Sequence, residues 1–385
     1  MKTACIICEY NPFHNGHKYQ IDEIKKEYDA VVCIMNGHFM QRGDVSVFDK
    51  WTRAKAALMC GADLVVELPV CFGLNSAQRF SYGGVALAQK MGVIDALCFG
   101  SECGDIEKIK KASELIYNEP EEISNKIKQN LDLGDSFPVA RQKAFGHLID
   151  ESLLSEPNNI LALEYVRALN ELGSSILPVT IKRYKSDYHE EQAKCEITSA
   201  TAVRSMLLDD KDIGLYVPKD LSEIYVGKKA ADISKLNSIL FYLLRTKTPE
   251  ELSLINDVSE GLENRLKLSI NQCNGFDEVC EFVKSKRYTM TRIRRILLSV
   301  ILGIDKQIVK EEPEYLRVLG MNKKGADILS EVKKKSNLEI ITKTADYKGF
   351  NKSFDIDILA GDIYSMCCED LCMGLDFLNS PVVIK

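Results

Sequence analysis

A chain of 385 residues with 45% hydrophobic and 28% charged side chains can bury a sizeable core and make two domains, which excludes a disordered or fibrous protein. No apolar run nears the ~18 residues of a membrane span, and no basic stretch followed by an apolar one opens the chain, so neither an anchor nor a secretory leader is expected. The formal net charge of −6 neither advertises nor excludes nucleic-acid binding, because local basic surface makes phosphate contacts.

Residues 4–8 (Ala4-Cys5-Ile6-Ile7-Cys8) form an apolar run that reads as a buried first strand. After it comes Glu9-Tyr10-Asn11-Pro12-Phe13-His14-Asn15-Gly16-His17, and then a loosely helical stretch with Tyr19, Ile21 and Ile24 on its pattern. A strand, a tight Pro/Gly loop and a helix N-terminus in this order make an anion site in α/β proteins, since free N–H groups and the helix dipole face the ligand. His14 and His17 add imidazole donors that can be charged or neutral near pH 7, and Gly16 permits close backbone approach.

Further strands are expected at residues 30–35, 64–68, 96–99 and 176–181, with helices between them that include 50–60, 77–90 and 106–117. Short, continuously apolar strands alternating with helices indicate a doubly wound parallel sheet of α/β class, with ligands at the carboxyl ends of the strands. The strand ends at Glu9-Tyr10-Asn11, Asn36-Gly37-His38 and Gly100-Ser101-Glu102 are therefore the candidate site. Residues 120–170 read as a helical insertion roofing it. Beyond about 210 strand patterns nearly vanish, apart from 338–341. Helices at 232–246, 260–270, 276–283 and 292–302 suggest a second, mainly helical domain over 211–385.

Three of the five histidines, His14, His17 and His38, fall in the first two strand-end loops, which favours a shared anionic pocket. His38 sits in a glycine-bracketed loop running to Gln41-Arg42-Gly43, where a solvated loop histidine is the plainer alternative. Glu67 could orient a cation or hydroxyl, or pair with Arg53 or Lys55. The thirteen cysteines lie mostly in apolar strands and helices, as expected of small buried hydrophobes in a reducing cytoplasm. Cys5 and Cys8, three apart on a strand, point to opposite faces and cannot share a zinc ion. Lys284 to Arg295 packs six cations into twelve residues, with Tyr288 interleaved. Such a segment suits an RNA backbone or a solvated helix face.

His14-Asn15-Gly16-His17 resembles the HxGH signature of the nucleotidyltransferase superfamily. The longer string from Glu9 resembles the first loop of the tRNA(Met) cytidine acetate ligases. The same family is echoed by a QRG-bearing loop, by Gly100-Ser101-Glu102, by Pro157-Asn158-Asn159-Ile160-Leu161, and by Lys182-Arg183-Tyr184. Thr198-Ser199-Ala200-Thr201-Ala202-Val203-Arg204 is similar to the superfamily's ISSTxIR, with Ala200 replacing a serine. The resemblance continues through the basic segment and through Tyr315 to Gly325.

This resemblance implies an ATP-dependent enzyme that makes acetyl-adenylate and acetylates the wobble cytidine of elongator tRNA(Met). His14 and His17 would be catalytic. ATP would be held by Ile7, Cys8, Glu9, Tyr10, Asn11, Pro12, Phe13, His14, Asn15, Gly16, His17, Lys18, Tyr19 and Gln20, with Gly100, Asn158, Arg183, Ser199, Thr201 and Arg204. Helix capping is the plainer alternative for Asn158 and Ser199. Lys286, Arg287, Arg294 and Arg295 would contact tRNA, and magnesium would accompany ATP without a dedicated protein cage. Two rivals use the same residues: a small-molecule nucleotidylyltransferase, and a non-catalytic RNA-binding protein. Dependence of pyrophosphate release on acetate separates the first, and ATP binding the second.

Overall fold

The structure is a computed structural model that describes all residues except 147, 184–198, 210, 226 and 260. Residues 184–189 of the last-strand block, and Thr198, therefore lie outside the described part.

The strands are β1 (Thr3–Cys8), β2 (Ala30–Asn36), β3 (Phe39–Met40), β4 (Asp44–Val45), β5 (Leu64–Leu68), β6 (Ala96–Ser101), β7 (Leu177–Lys182), β8 (Tyr315–Met321), β9 (Glu339–Ile341) and β10 (Val382–Val383). One sheet runs β10-β8-β5-β2-β1-β6-β7, with β9 also on β8, while β3 and β4 form a separate hairpin. β1 lies centrally, parallel to β2 and β6, so its carboxyl end and the loop after it open in the middle of the sheet.

Every residue of β1 and β2 is buried, because helices cover both faces. Cys5, Ile7, Val32 and Ile34 pack with the Ala77–Met91 and Pro157–Glu171 helices in one core. Ala4, Ile6, Cys8 and Cys33 join a second core on the other face, with the Asn15–Ile24 and Lys50–Met59 helices. Cys5 and Cys8 thus lie in different layers, as strand alternation requires.

The insertion is helical, with helices at Glu121–Asp132, Phe137–Phe145, Glu151–Ser155 and Pro157–Glu171. The expectation that strands nearly vanish beyond 210 needs correcting. β8 adds to the same sheet, antiparallel to β5, so the sheet is mixed and the first core continues into the C-terminal helices. Arg317 hid this strand from its sequence pattern. It is fully buried, and its neutralising partner, Asp376, lies 59 residues further on. No described helix is long and apolar enough to cross a membrane.

Candidate active site

The loop leaving β1 is held from several sides. Tyr10 adopts a left-handed backbone (φ 47°) and is buried edge-on against Phe13, with ring centroids 4.8 Å apart. Holding a non-glycine residue there costs about 1–2 kcal/mol, which the packing of the ring offsets. His14 then caps the Asn15–Ile24 helix: its Nδ1 accepts the Gly16 N–H at 3.0 Å. His17 Nδ1 accepts the His14 N–H at 3.3 Å, and the two rings stack at 3.7 Å. With both Nδ1 atoms accepting, each neutral ring carries its proton on Nε2. Burial, helped by Arg183 and Arg204, pulls the His14 pKa down to about 3. Burial likewise holds His17 well below the ordinary histidine value, with His14 and Arg183 adding to the effect. Both imidazoles are therefore neutral Nε2–H donors before any anion arrives.

Two arginines complete this pole. Arg183 follows β7, its N–H donating to Ser101 O at 2.9 Å, and its side chain crosses Gly100, where a Cβ would stand 3.1 Å from Arg183 Cγ. In the described structure Gly100 thus clears space for an arginine. Arg204 donates to Asn11 O at 2.8 Å and to Thr201 Oγ1 at 3.0 Å, tying the Ala200–Leu208 helix to the first loop. Ser199 caps that helix by accepting the Ala202 N–H at 3.2 Å. Asn158 is engaged by Glu102, which accepts its Nδ2 at 2.6 Å and the Asn159 N–H at 2.8 Å. A carboxylate on a helix N-terminus is favourable, and it fastens the insertion to the end of β6.

Of the other first-loop residues, Tyr10 and Phe13 are almost fully buried, so what they present to a ligand is backbone. Asn15 Nδ2 donates to Leu215 O at 3.0 Å, and Lys18 pairs with Asp22. Ile7 and Cys8 are core, while Gly16, Tyr19 and Gln20 are half-buried along the helix start.

The sequence reading did not find the residue that holds these loops in register. Arg53 is fully buried, donating through Nη1 to Glu9 O at 2.7 Å and Asn36 O at 3.0 Å, through Nε to Phe48 O at 3.0 Å, and through Nη2 to Gly37 O. Its planar fork satisfies carbonyls of two strand ends at once. Glu9 accepts the Gln41 N–H at 2.7 Å and Asn36 Nδ2 at 3.1 Å, and burial raises its carboxyl above the ordinary range.

Glu67 pairs with neither Arg53 nor Lys55. Its partner is Lys50, whose buried ammonium lies 2.7 Å from Glu67 Oε2 and 2.7 Å from Asp376 Oδ1. His38 is also placed differently from the expectation of a shared pocket. It is buried, stacked on Tyr364 at 4.2 Å, and neither ring nitrogen has a hydrogen-bond partner. Burial, with Lys50 and Arg53 nearby, keeps its pKa well below normal, so it stays neutral in the core.

Residues 1–374 match the HIGH Nucleotidyl Transferase family. The tRNA(Met) cytidine acetate ligase of Thermoanaerobacter sp. (strain X514) is 42% identical over 97% of this chain and 98% of its own. That of Clostridium perfringens (strain ATCC 13124) is 39% identical over the full length of both. The crystal structure of Thermotoga maritima TmcAL bound with alpha-thio ATP superposes with a TM-score of 0.90, at 32% identity and full coverage of both chains. This chain belongs to the tRNA(Met) cytidine acetate ligase family.

The basic segment is not the free helix edge the sequence suggested. Arg295 is buried and pairs with Asp257 at 3.1 Å. Arg294 donates to Gly43 O at 2.8 Å and pairs with Asp277 at 2.6 Å, because the Met290–Leu302 helix packs on the Gln41–Asp44 turn. Arg287 donates to Leu131 O at 3.1 Å, reaching the insertion. Lys286, with a side chain 72% exposed, meets Asp135 at 2.8 Å. The charge run therefore fastens the C-terminal helices to both the strand-end loops and the insertion.

Proposed function

We propose that this protein activates acetate with ATP and transfers the acetyl group to the N4 amine of the wobble cytidine in elongator tRNA(Met). One observation carries the reading. Two neutral imidazoles with fixed Nε2–H donors stand with Arg183 and Arg204 at the central strand end, in a chain related along its full length to these ligases.

In the first step an acetate oxygen attacks the α-phosphorus of ATP, the bond to the β-phosphate bridging oxygen breaks, and pyrophosphate leaves. His14 and His17 donate to the phosphoryl oxygens, which gain charge in the transition state, without first taking up a proton. Arg183 and Arg204, near enough to His14 to depress its pKa, neutralise the phosphates. Preorganised donors of this kind need no rearrangement when the charge develops. In the second step the cytidine N4 attacks the acetyl carbonyl, the bond from that carbon to the AMP oxygen breaks, and the amine gives up a proton to a phosphate oxygen of the leaving AMP. The ATP site comprises the Ile7 to Gln20 loop with Gly100, Asn158, Arg183, Ser199, Thr201 and Arg204.

Among the described residues no three His, Cys, Asp or Glu side chains converge on a metal position. Magnesium, brought in with ATP, would be held by the phosphate oxygens and would supply charge neutralisation there. Contact with tRNA falls to Lys286 and Arg287 at the insertion boundary, and Arg294 and Arg295 hold the helix beneath. The test is acetate-dependent pyrophosphate release, followed by mass analysis of tRNA(Met) nucleosides for N(4)-acetylcytidine. Release driven by a phosphate monoester instead of acetate would overturn the reading.

A further inference from the structure

Glu9 follows the central strand β1 and leads into the histidine loop, and its carboxylate is fixed through one oxygen only. Oε1 accepts the Gln41 N–H at 2.7 Å and Asn36 Nδ2 at 3.1 Å, while the Glu9 carbonyl accepts Arg53 Nη1 at 2.7 Å. Gln41 is itself pinned, its Nε2 donating to Asn75 O at 2.9 Å. Oε2 has no hydrogen-bond partner among the described residues, and because Glu9 is only half-buried this oxygen is open to the site. It is the free oxygen of an otherwise immobilised carboxylate.

Its surroundings narrow the ligand. Arg204 acts electrostatically on both Glu9 and His14, so Oε2 belongs to the phosphoryl pole, where the acetyl group joins the α-phosphate. Arg42, exposed next to Gln41, also lies within electrostatic range of Glu9 and makes no hydrogen bond or ion pair with a described residue. A fixed acceptor oxygen serves a ligand that brings a hydrogen to it, and a free guanidinium serves one that brings negative charge. Acetate and the phosphate chain carry no such hydrogen, and the adenine amine sits at the far end of the nucleotide from its α-phosphate. The ribose hydroxyls and the cytidine N4 amine remain, and only the amine must reach this pole to react. Carboxylates accept from cytosine N4 in nucleic-acid recognition, and that amine is the donor uracil lacks.

We propose that Glu9 Oε2 accepts one N4–H of the acceptor cytidine and so selects cytidine over uridine at the acetyl-transfer step. The proposal rests on the functional reading above and names the residue that recognises its acceptor. Holding one N4–H fixes the plane of the amine, so that the nitrogen lone pair faces the acetyl carbon. The C–N bond then forms as the bond from that carbon to the AMP oxygen breaks, and the other N4 proton leaves to the AMP phosphate. Glu9 itself takes up no proton.

The test uses the full-length protein and anticodon stem-loop RNA hairpins carrying cytidine or uridine at the wobble position. Glu9→Gln can keep the contacts of Oε1 and places an amide N–H group where Oε2 stands. The single-turnover rate constant of transfer is measured from acetyl-adenylate already formed on the enzyme, which separates it from any effect on ATP use. It should fall roughly 10- to 150-fold, the worth of a hydrogen bond to a charged group. Hairpin binding is read by fluorescence anisotropy with 5′-O-(N-acetylsulfamoyl)adenosine in place of the adenylate. Wild type should prefer the cytidine hairpin, and Glu9→Gln should lose or reverse that preference, because its amide donates to uracil O4. An unchanged transfer rate constant together with an unchanged cytidine-to-uridine preference overturns the assignment. So does a variant whose only change is a raised KM for ATP that 2′-deoxy-ATP or 3′-deoxy-ATP does not show, which would give Oε2 to the ribose. Wild-type protein that makes acetyl-adenylate yet binds neither hairpin overturns the functional reading, and this proposal with it.

Discussion

Replacing Lys50 with methionine should destabilise the junction between β5 and the C-terminal segment about as much as a large core truncation. The side chain is fully buried, and its ammonium contacts Glu67 Oε1 at 2.9 Å, Glu67 Oε2 at 2.7 Å and Asp376 Oδ1 at 2.7 Å. Methionine keeps the volume but leaves two buried carboxylates facing each other, with Arg317 as the nearest remaining cation, 3.7 Å from Asp376 Oδ1. Breaking one side of such a buried cluster costs about 3–5 kcal/mol. At ~2.1 cal/mol/K per residue, unfolding this chain carries an entropy of roughly 0.8 kcal/mol/K, so Tm should fall by about 4–6 °C at pH 7.5. The pH dependence gives a second reading. Without its counter-ion, one carboxylate in the folded variant binds a proton above its unfolded pKa, so the variant's deficit relative to wild type shrinks as pH falls toward 5. Calorimetry of wild type and Lys50→Met from pH 5 to 8 measures both effects. A Tm within 1 °C of wild type at pH 7.5, or a deficit that grows on acidification, would refute the reasoning.

His14→Ala and His17→Ala should each slow acetate-dependent pyrophosphate release by about 100- to 1,000-fold, the usual loss for one oxyanion-type donor, and stopped-time pyrophosphate assays will show it. His14, His17 and His38 are all held below their unfolded pKa, so the unfolded chain binds protons that the folded one refuses. Stability is then full above about pH 6.5 and declines as pH falls, by about 1.4 kcal/mol per histidine at pH 5.5. Denaturant titrations should register this decline, and His38→Phe should reduce it. Gly43 has φ +78°, and a Cβ there would lie 2.6 Å from Arg294 Cβ, so Gly43→Ala should lower Tm, whereas Gly134→Ala, also at positive φ but in open space, should lower it less. Lys286→Gln should reduce the log–log salt slope of tRNA binding by up to ~0.9, and filter-binding between 50 and 200 mM salt suits that measurement.

The first loop was legible because its chemistry is local. Strand, loop and helix start adjoin in sequence, and His14 and His17 lie within one turn of each other. The strand-end logic also draws attention to the end of β7, where the parallel pairing with β6 sets Arg183 beside Gly100. Illegible were the interactions closed over long separations. Lys50 meets Asp376 across 326 residues and Arg294 meets Gly43 across 251, and no periodicity encodes either. Charged residues misled the reading twice for one reason. Arg317 interrupts the apolar run of β8, and Arg295 was expected to contact tRNA, yet each is buried with an acid distant in sequence. His38 misled in the opposite sense, a polar residue in a promising loop that faces Tyr364 in the core.

The antiparallel docking of β8 on β5 has a consequence for synthesis. As the chain emerges from the ribosome, β5 is complete by residue 68, but its neighbour arrives only with residues 315–321. In that interval the nascent sheet presents the bare backbone edge of Leu64–Leu68, every residue of which is buried in the finished protein. Unpaired apolar edges of this kind recruit other chains. A ribosome-bound intermediate ending near residue 210 should therefore depend on chaperone cover, and releasing it early should yield aggregate in place of a working half-enzyme.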